Sequence, residues 1–339
     1  MKTWLEINSR VLLGNLYHFK NVVGPNVNVV AVIKSNAYGH GLIGVASVLK
    51  KDKSLFFGVD SLDEALSLKN TGVKNPILIL GYIPETMFAE AVKNNFHISV
   101  YNTKTLASAI KFPKGLYHLK AETGTNRLGV SIADLKKFSI LPKFVGVYTH
   151  FADIENKNSN FYKKQLIIFA KTQNVLKSRD VVPKFIHTAS TAGILRGAET
   201  HFNMVRLGIG LYKNVLTWKT RVAQVKSVKI GQTIGYDRTF KARKNMKIAI
   251  LPVGYYDGYD RKLSNTGEVL ISGKKAKVVG RVCMNMFMAD VTKIKNVKVG
   301  DEVVLLGGPI KTEDVAKKIG TIDYEVLSRL NPNLPRVVI

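Results

Sequence analysis

The sequence predicts an α/β protein: an N-terminal (β/α)8 barrel followed by a C-terminal, mainly β domain. Three observations predict it. Eight short apolar runs recur between Val29 and Leu207, with helix-like segments between them. Polar and basic residues collect at the C-terminal ends of those runs, the end at which a parallel barrel carries its chemistry. Near Trp218 the rhythm changes, and apolar runs follow one another through turns. A chain of 339 residues exceeds one ordinary core and suffices for two.

In chain order, Trp4 to Ile7 reads as a short strand, and Arg10 to Asn21 has apolar residues at roughly helical spacing. Val29 to Ile33 is a β-branched apolar run of the kind buried on both faces in a parallel sheet, and a polar, glycine-rich turn follows it. The other seven runs are Leu55 to Val59, Ile77 to Leu80, Ile98 to Val100, Leu116 to Ala121, Phe144 to Tyr148, Phe185 to Thr188 and Met204 to Leu207. Ser61-Leu62-Asp63-Glu64 has the capping-box pattern of a helix start, and Phe161 to Leu176 is another helix. Beyond Trp218 the expected strands are Arg221 to Val228, Met246 to Leu251, Val269 to Ser272, Lys277 to Val282 and Glu302 to Leu306. Thr312 to Ile319 and Tyr324 to Leu330 read as short helices. The expected division is residues 1–215 for the barrel and 216–339 for the β domain, with residues 1–10 placed to pair with the latter.

Composition narrows the function classes. The only cysteine is Cys283, which fits a reducing, cytoplasmic setting. Glu6, Asn8 and Arg10 interrupt any signal-peptide core, and no apolar run has the length of a membrane span. The net charge of +27 comes from lysines scattered in ones and twos. Without a basic block or interleaved aromatics it does not predict a nucleic-acid surface, although the diffuse field favours anionic small molecules. No His/Cys cluster has metal-ligand spacing, so no metal site is expected.

Lys34 ends the first barrel strand. It is either a desolvated amine primed to attack carbonyls or a lysine whose head snorkels to the surface. The same rim receives Lys120, which ends the fifth strand, with Arg127 seven residues on, His150, which ends the sixth, His187, Ser190 and Thr191 after the seventh, and Arg206 and Gly208, which end the eighth. His187 alone reads equally as a hydrogen-bonded core histidine. Loops after the seventh and eighth strands commonly bind phosphate, and Thr191 with the amides of Gly208 and Ile209 can hold one. A reactive lysine beside a phosphate site points to pyridoxal 5'-phosphate. Arg206 then faces the pyridine nitrogen. An arginine does not give up a proton, so the ring is a weak electron sink and strong flanking bases are needed.

Six motifs carry a family resemblance along the chain: Ala-Val-Ile-Lys-Ser-Asn-Ala-Tyr-Gly-His-Gly at Ala31 to Gly41, Thr-Gly-Thr-Asn-Arg-Leu-Gly at Thr123 to Gly129, Asn-Met-Val-Arg-Leu-Gly-Ile at Asn203 to Ile209, Val-Gly-Tyr-Tyr-Asp-Gly-Tyr-Asp-Arg at Val253 to Arg261, Gly-Arg-Val-Cys-Met-Asn at Gly280 to Asn285, and Thr-Ile-Asp-Tyr-Glu-Val-Leu at Thr321 to Leu327. The chain resembles the alanine racemases, fold-type III pyridoxal phosphate enzymes that include broad-specificity, serine and lysine racemases. The resemblance implies that Lys34 tethers the cofactor and is the base on one substrate face. Tyr255 is then the base on the other face, supplied by the second subunit of a homodimer with shared active sites. It further implies that His150 contacts the cofactor ring, and that Tyr38, Thr191, Gly208, Ile209 and Tyr324 hold the phosphate. Arg127 and Met284 line the substrate pocket, and Lys120 is the position of a carbamylated lysine in many members. The implied product is D-alanine for peptidoglycan.

Three positions depart from the family pattern. Asn285 stands for an aspartate, Ser190-Thr191 for Asn-Ser, and Asp237 for a glycine. Rival functions are a broader or serine-preferring racemase, a basic amino-acid decarboxylase, and a non-catalytic cofactor carrier. Arg206 disfavours the decarboxylase, which places an acid at the ring nitrogen. Tyr255 and the β domain disfavour the carrier. Read alone, the Tyr255 stretch is also an ordinary aromatic-rich turn.

Overall fold

A computed structural model describes all residues, 1–339. The chain divides into two compact units. One comprises Leu13–Ser35 and Val45–Leu211, the other Met1–Leu12, Asn36–Gly44 and Tyr212–Ile339. The short stretch after Lys34 thus belongs with the second unit.

The first unit is the barrel. Its eight parallel strands are Asn28–Val32, Phe56–Val59, Ile77–Ile79, His97–Val100, Leu116–Lys120, Phe144–Tyr148, Phe185–His187 and Met204–Leu207. Seven parallel ladders join them, and the first strand pairs with both the second and the eighth. The seventh and eighth share no ladder. Asn203 bridges that seam with its side chain, accepting from the Ile186 amide at 2.7 Å and donating to the Lys184 carbonyl at 2.8 Å. Higher up, the Arg206 amide donates to the Ala189 carbonyl. Backbone groups at an open edge need partners, and a side-chain amide supplies the same donor and acceptor as a peptide.

Val29 to Ile33 are all buried, as two-sided packing requires of a parallel strand. The helix after the second strand, Leu62–Asn70, is capped by Ser61, whose hydroxyl accepts from the Glu64 amide. Glu64 reaches back to the Asp60 amide, one residue before the cap. The helix Phe161–Lys177 buries Tyr162, Gln165, Phe169, Thr172 and Leu176, a stripe at helical spacing.

The second unit is built on a nine-stranded sheet. Its order is Gln224–Val228, Met246–Leu251, Phe287–Asp290, Lys274–Val279, Glu268–Ile271, Glu302–Leu306, Leu216–Arg221, Thr3–Ile7, Arg336–Val338. Thr3–Ile7 pairs antiparallel with Leu216–Arg221 and parallel with Arg336–Val338. The single strand expected over Arg221 to Val228 is two strands, Leu216–Arg221 and Gln224–Val228, with different neighbours. Between them the Val222 amide turns to the Asp301 carbonyl. The strand expected at Lys277 to Val282 ends at Val279. There Gly280, at φ +79°, lies so close to the Ile234 carbonyl that a Cβ would come within 2.7 Å of its oxygen. Phe287–Asp290 and Arg336–Val338 gave no clear alternation and were not expected. Phe287 stacks on the buried Tyr259 at 4.3 Å, and such packing orders a strand whatever its own pattern. No helix is long and apolar enough to cross a membrane.

Candidate active site

At the C-terminal rim of the barrel, Lys34 is the residue after Ile33. Its amine is not desolvated. It is ion-paired with Asp60 at 2.8 Å, with the lysine side chain 38% and the aspartate 50% exposed. Asp60 follows the second strand directly, and the rule that barrel chemistry sits at strand ends could have identified it. The expected glycine-rich turn after Lys34 is instead a left-handed coil. Ser35, Asn36, Ala37 and Tyr38 have φ between 52 and 54°. In L-residues that conformation costs about 1–2 kcal/mol per residue, so the surroundings must impose it.

Lys120 is buried, its amine 5.6 Å from the Tyr148 ring centroid. Burial first, then Arg127, Arg206 and Lys34, push its pKa down to about 8, and Glu122 partly opposes this. A fraction of the amine is therefore uncharged near neutrality, the form a carbamylation would need. Glu122 accepts from the Gly124 and Asn126 amides and so shapes the loop that carries the exposed Arg127. His150 is pushed down to about 3 by burial and by Arg206, Arg127, Lys120 and Lys34. It is a neutral imidazole at any physiological pH.

Arg206 is buried. Its Nη1 donates to His187 Nδ1 at 2.8 Å and to the His187 carbonyl, and its Nη2 donates to the carbonyls of Thr149 and Thr188 at 2.7 and 2.9 Å. Its Nη2 also lies 3.4 Å from His150 Nδ1. These acceptors can use all four Nη hydrogens. No carboxylate pairs with it, and burial brings its pKa down to about 10, still fully cationic. His187 is not on the rim. It is wholly buried, stacks on Tyr148 at 4.6 Å and continues inward through His118 to His97, each ring nitrogen 2.9 Å from the next. Arg206 can only donate, so His187 Nδ1 must accept, and the three neutral rings align in one direction. His97 and His118, at the start of one strand and the middle of the next, are not among the expected site residues, because a histidine away from a strand's C-terminal end gives no sequence signal of a partner.

Thr191 opens a short helix, Thr191–Arg196, and its hydroxyl oxygen accepts from the Gly208 and Gly210 amides at 3.1 and 3.2 Å. The Gly208 amide therefore already has a partner, and the Thr191 hydroxyl hydrogen remains to donate. The rim as a whole carries Lys34, Lys120, Arg127 and Arg206 against Asp60 and Glu122. This surplus of positive charge fits an anionic cofactor and a carboxylate substrate, and so fits pyridoxal phosphate.

Tyr38 and Tyr324 lie in the second unit, with ring centroids 6.0 Å apart, and Tyr38 also packs on Tyr212 at 5.0 Å. Tyr255 and Met284 form another group there. They line an open cleft of about 1630 Å³ with Tyr236, Asp237, Arg238 and Arg281. Tyr255 is held by backbone. Its amide donates to the Cys283 carbonyl at 3.1 Å, and the Tyr256 amide donates to the Met284 carbonyl. The buried Asp257 accepts from the Gly254 amide at 2.9 Å. Asp237 has φ 59° and Arg238 φ 52°, which explains the preference for glycine at this turn; an aspartate tolerates it. Asp237 also pairs with Arg281 at 3.3 Å. A Cβ at Gly254 would stand 2.1 Å from the Cys283 carbonyl oxygen and 2.3 Å from that of Met284. Gly254→Ala is thus expected to lift the Tyr255 turn from its support and lower turnover about tenfold or more. Steady-state kinetics on the folded variant checks this, and unchanged turnover contradicts it.

Fold and rim together define a class, a barrel enzyme whose cationic strand-end site is built for an anionic cofactor. The comparisons make the class specific. Residues 7–214 match the model of the alanine racemase N-terminal domain, and 215–338 that of its C-terminal domain. Alanine racemase 1 of Caldanaerobacter subterraneus subsp. tengcongensis is 36% identical, with 99% of this chain and 94% of that protein covered. Among solved structures, alanine racemase from Bacillus anthracis with bound L-Ala-P superposes with a TM-score of 0.92 at 33% identity, covering 100% of this chain and 95% of that one. Alanine racemase from Bartonella henselae with covalently bound pyridoxal phosphate gives 0.91 at 25% identity, with both chains fully covered. This chain belongs to the alanine racemase family, a family of isomerases.

Proposed function

We propose that this protein is a pyridoxal phosphate-dependent alanine racemase that interconverts L- and D-alanine by two-base proton transfer. It works as a cytoplasmic homodimer with shared active sites and supplies D-alanine for peptidoglycan. One observation carries the reading at the site: the buried Arg206 at the end of the eighth strand, fixed by neutral acceptors and lacking a carboxylate. Bound pyridoxal phosphate supplies an electron sink that acidifies the substrate's α-hydrogen.

The chain's own groups do the rest. Lys34 Nζ tethers the cofactor and moves a proton on one substrate face, and Tyr255 Oη from the partner subunit moves one on the other. Arg206 would face the ring nitrogen and has no proton to give it, so the electron sink would be weak and the bases on both faces, Lys34 and Tyr255, would have to be strong. His150, neutral and partly buried, contacts the ring and hydrogen-bonds the Tyr255 hydroxyl. The Thr191 hydroxyl and the Ile209 amide, with the Gly208 amide turned to Thr191, and Tyr38 with Tyr324, hold the phosphate. Arg127 orients the substrate carboxylate, and carbamylated Lys120 orients Arg127. Met284 limits the side chain that fits.

Several exposed apolar groups support the shared site. Tyr236, Tyr255, Tyr256, Met284 and Met286 are between 43 and 71% exposed, a cluster that is unfavourable in water unless covered. The test is a panel of alanine, serine and lysine enantiomers with chiral detection, run over a range of protein concentrations. Alanine is expected to turn over fastest in both directions, and specific activity is expected to fall on dilution as dimers part. Faster serine turnover moves the assignment to a serine racemase, and activity independent of concentration contradicts the shared site.

A further inference from the structure

The left-handed coil that carries Tyr38 is held from one direction by the C-terminal segment. Arg336 Nε donates to the Gly39 carbonyl at 2.8 Å. Its Nη1 donates to the Pro332 and Leu334 carbonyls at 2.8 and 2.7 Å, and its Nη2 to the Asn331 carbonyl at 3.3 Å. One rigid guanidinium thereby ties the coil's exit, at the Gly39 carbonyl, to three backbone carbonyls of the C-terminal segment. Gly39, at φ +81°, passes so close to this region that a Cβ would lie 2.0 Å from the Leu327 carbonyl oxygen.

The coil is also closed from within. His40 is 1% exposed, stacks on Tyr212 at 4.5 Å, and has Nδ1 3.1 Å from the Ala37 carbonyl and 3.0 Å from that of Tyr38. Both partners are acceptors, so Nδ1 carries the proton and donates. Asn36 Oδ1 accepts from the Leu42 amide at 2.8 Å, which sets the coil's other end. Four successive non-glycine residues do not stay left-handed unaided. The contacts that hold them end on Tyr38.

We propose that Arg336 and His40 are positioning residues: they hold the Ser35–Tyr38 coil in its left-handed form and thereby fix where Tyr38 presents its hydroxyl to the cofactor phosphate. This rests on the reading of Tyr38 as a phosphate ligand. A merely structural Arg336 would join the C-terminal strand to the domain and would not couple to one tyrosine. The experiment is a double-mutant cycle on the full chain, with Arg336→Lys, Tyr38→Phe and the pair, measuring pyridoxal phosphate affinity of the apo-protein. Arg336→Lys keeps the charge and stem but loses the fork, and His40→Gln repeats the cycle with a different side chain. Each is expected to weaken binding about tenfold alone and to add little in the Tyr38→Phe background. Amide hydrogen exchange at residues 39–41 of the apo-protein is expected to accelerate, with exchange across the nine-stranded sheet unchanged. Fully additive losses, or unchanged exchange at 39–41, overturn the proposal. Wild-type apo-protein that takes up no pyridoxal phosphate would overturn the cofactor reading instead, while the exchange arm still decides the coil.

Discussion

Lys34→Ala is expected to abolish racemisation, a loss of about ten-thousand-fold or more, because one side chain supplies both the covalent tether and a base. The same variant is expected to lose the visible absorbance of lysine-linked cofactor. The ion pair with Asp60 makes a sharper control possible. Lys34→Arg keeps a cation at the end of the first strand, 2.8 Å from a carboxylate in the wild-type chain, but has no amine that can attack a carbonyl. If the pair were what mattered, Lys34→Arg would retain activity. If the amine matters, both variants are equally inactive. Retention of the lysine-linked spectrum in either would overturn the cofactor assignment.

Tyr255→Phe is expected to fold, to bind cofactor and to lose about a hundred- to ten-thousand-fold in turnover, the usual contribution of a positioned base. The substitution removes one hydroxyl. It leaves intact the backbone bonds to Cys283 and Met284 and the Asp257 contact that shape the turn. Turnover from L-alanine is expected to suffer most, because Tyr255 is assigned the base on that face. Because the two enantiomers have an equilibrium constant of one, kcat/KM must fall equally in both directions, so the asymmetry is read in kcat at saturation and in solvent isotope incorporation. Equal, wild-type rates in both directions would contradict the two-base scheme. Measured beside Gly254→Ala, the variant separates the hydroxyl's chemistry from the turn's geometry.

The departure at Ser190-Thr191 is mild in this structure. The Thr191 hydroxyl makes both bonds that its position asks for, to Gly208 and Gly210. Asn285 lies exposed beside Met284, where it removes a charge from the cleft wall without altering the backbone that holds Tyr255.

The sequence by itself determined the barrel, its strand sites and the cationic rim. Short apolar runs ending at or beside Lys34, Lys120, His150 and Arg206 need only local pattern and the rule that parallel barrels act at strand ends. The six motifs added the family and Tyr255, which periodicity alone could not distinguish from an aromatic turn. Only the tertiary structure decided what surrounds those residues. Sequence left Lys34 open between a desolvated amine and one that reaches the surface; it is partly exposed and paired, because Asp60 sits on the neighbouring strand end and sequence carries no distance between strands. His187 drops from the rim into a buried chain with His118 and His97, a partnership set by strand register. The left-handed coil after Lys34 had no local signal at all, since Ser, Asn, Ala and Tyr do not prefer it. It exists because Gly39, His40 and Arg336 are brought together across nearly three hundred residues, and strain of that kind is a property of the packed fold, not of the segment that bears it.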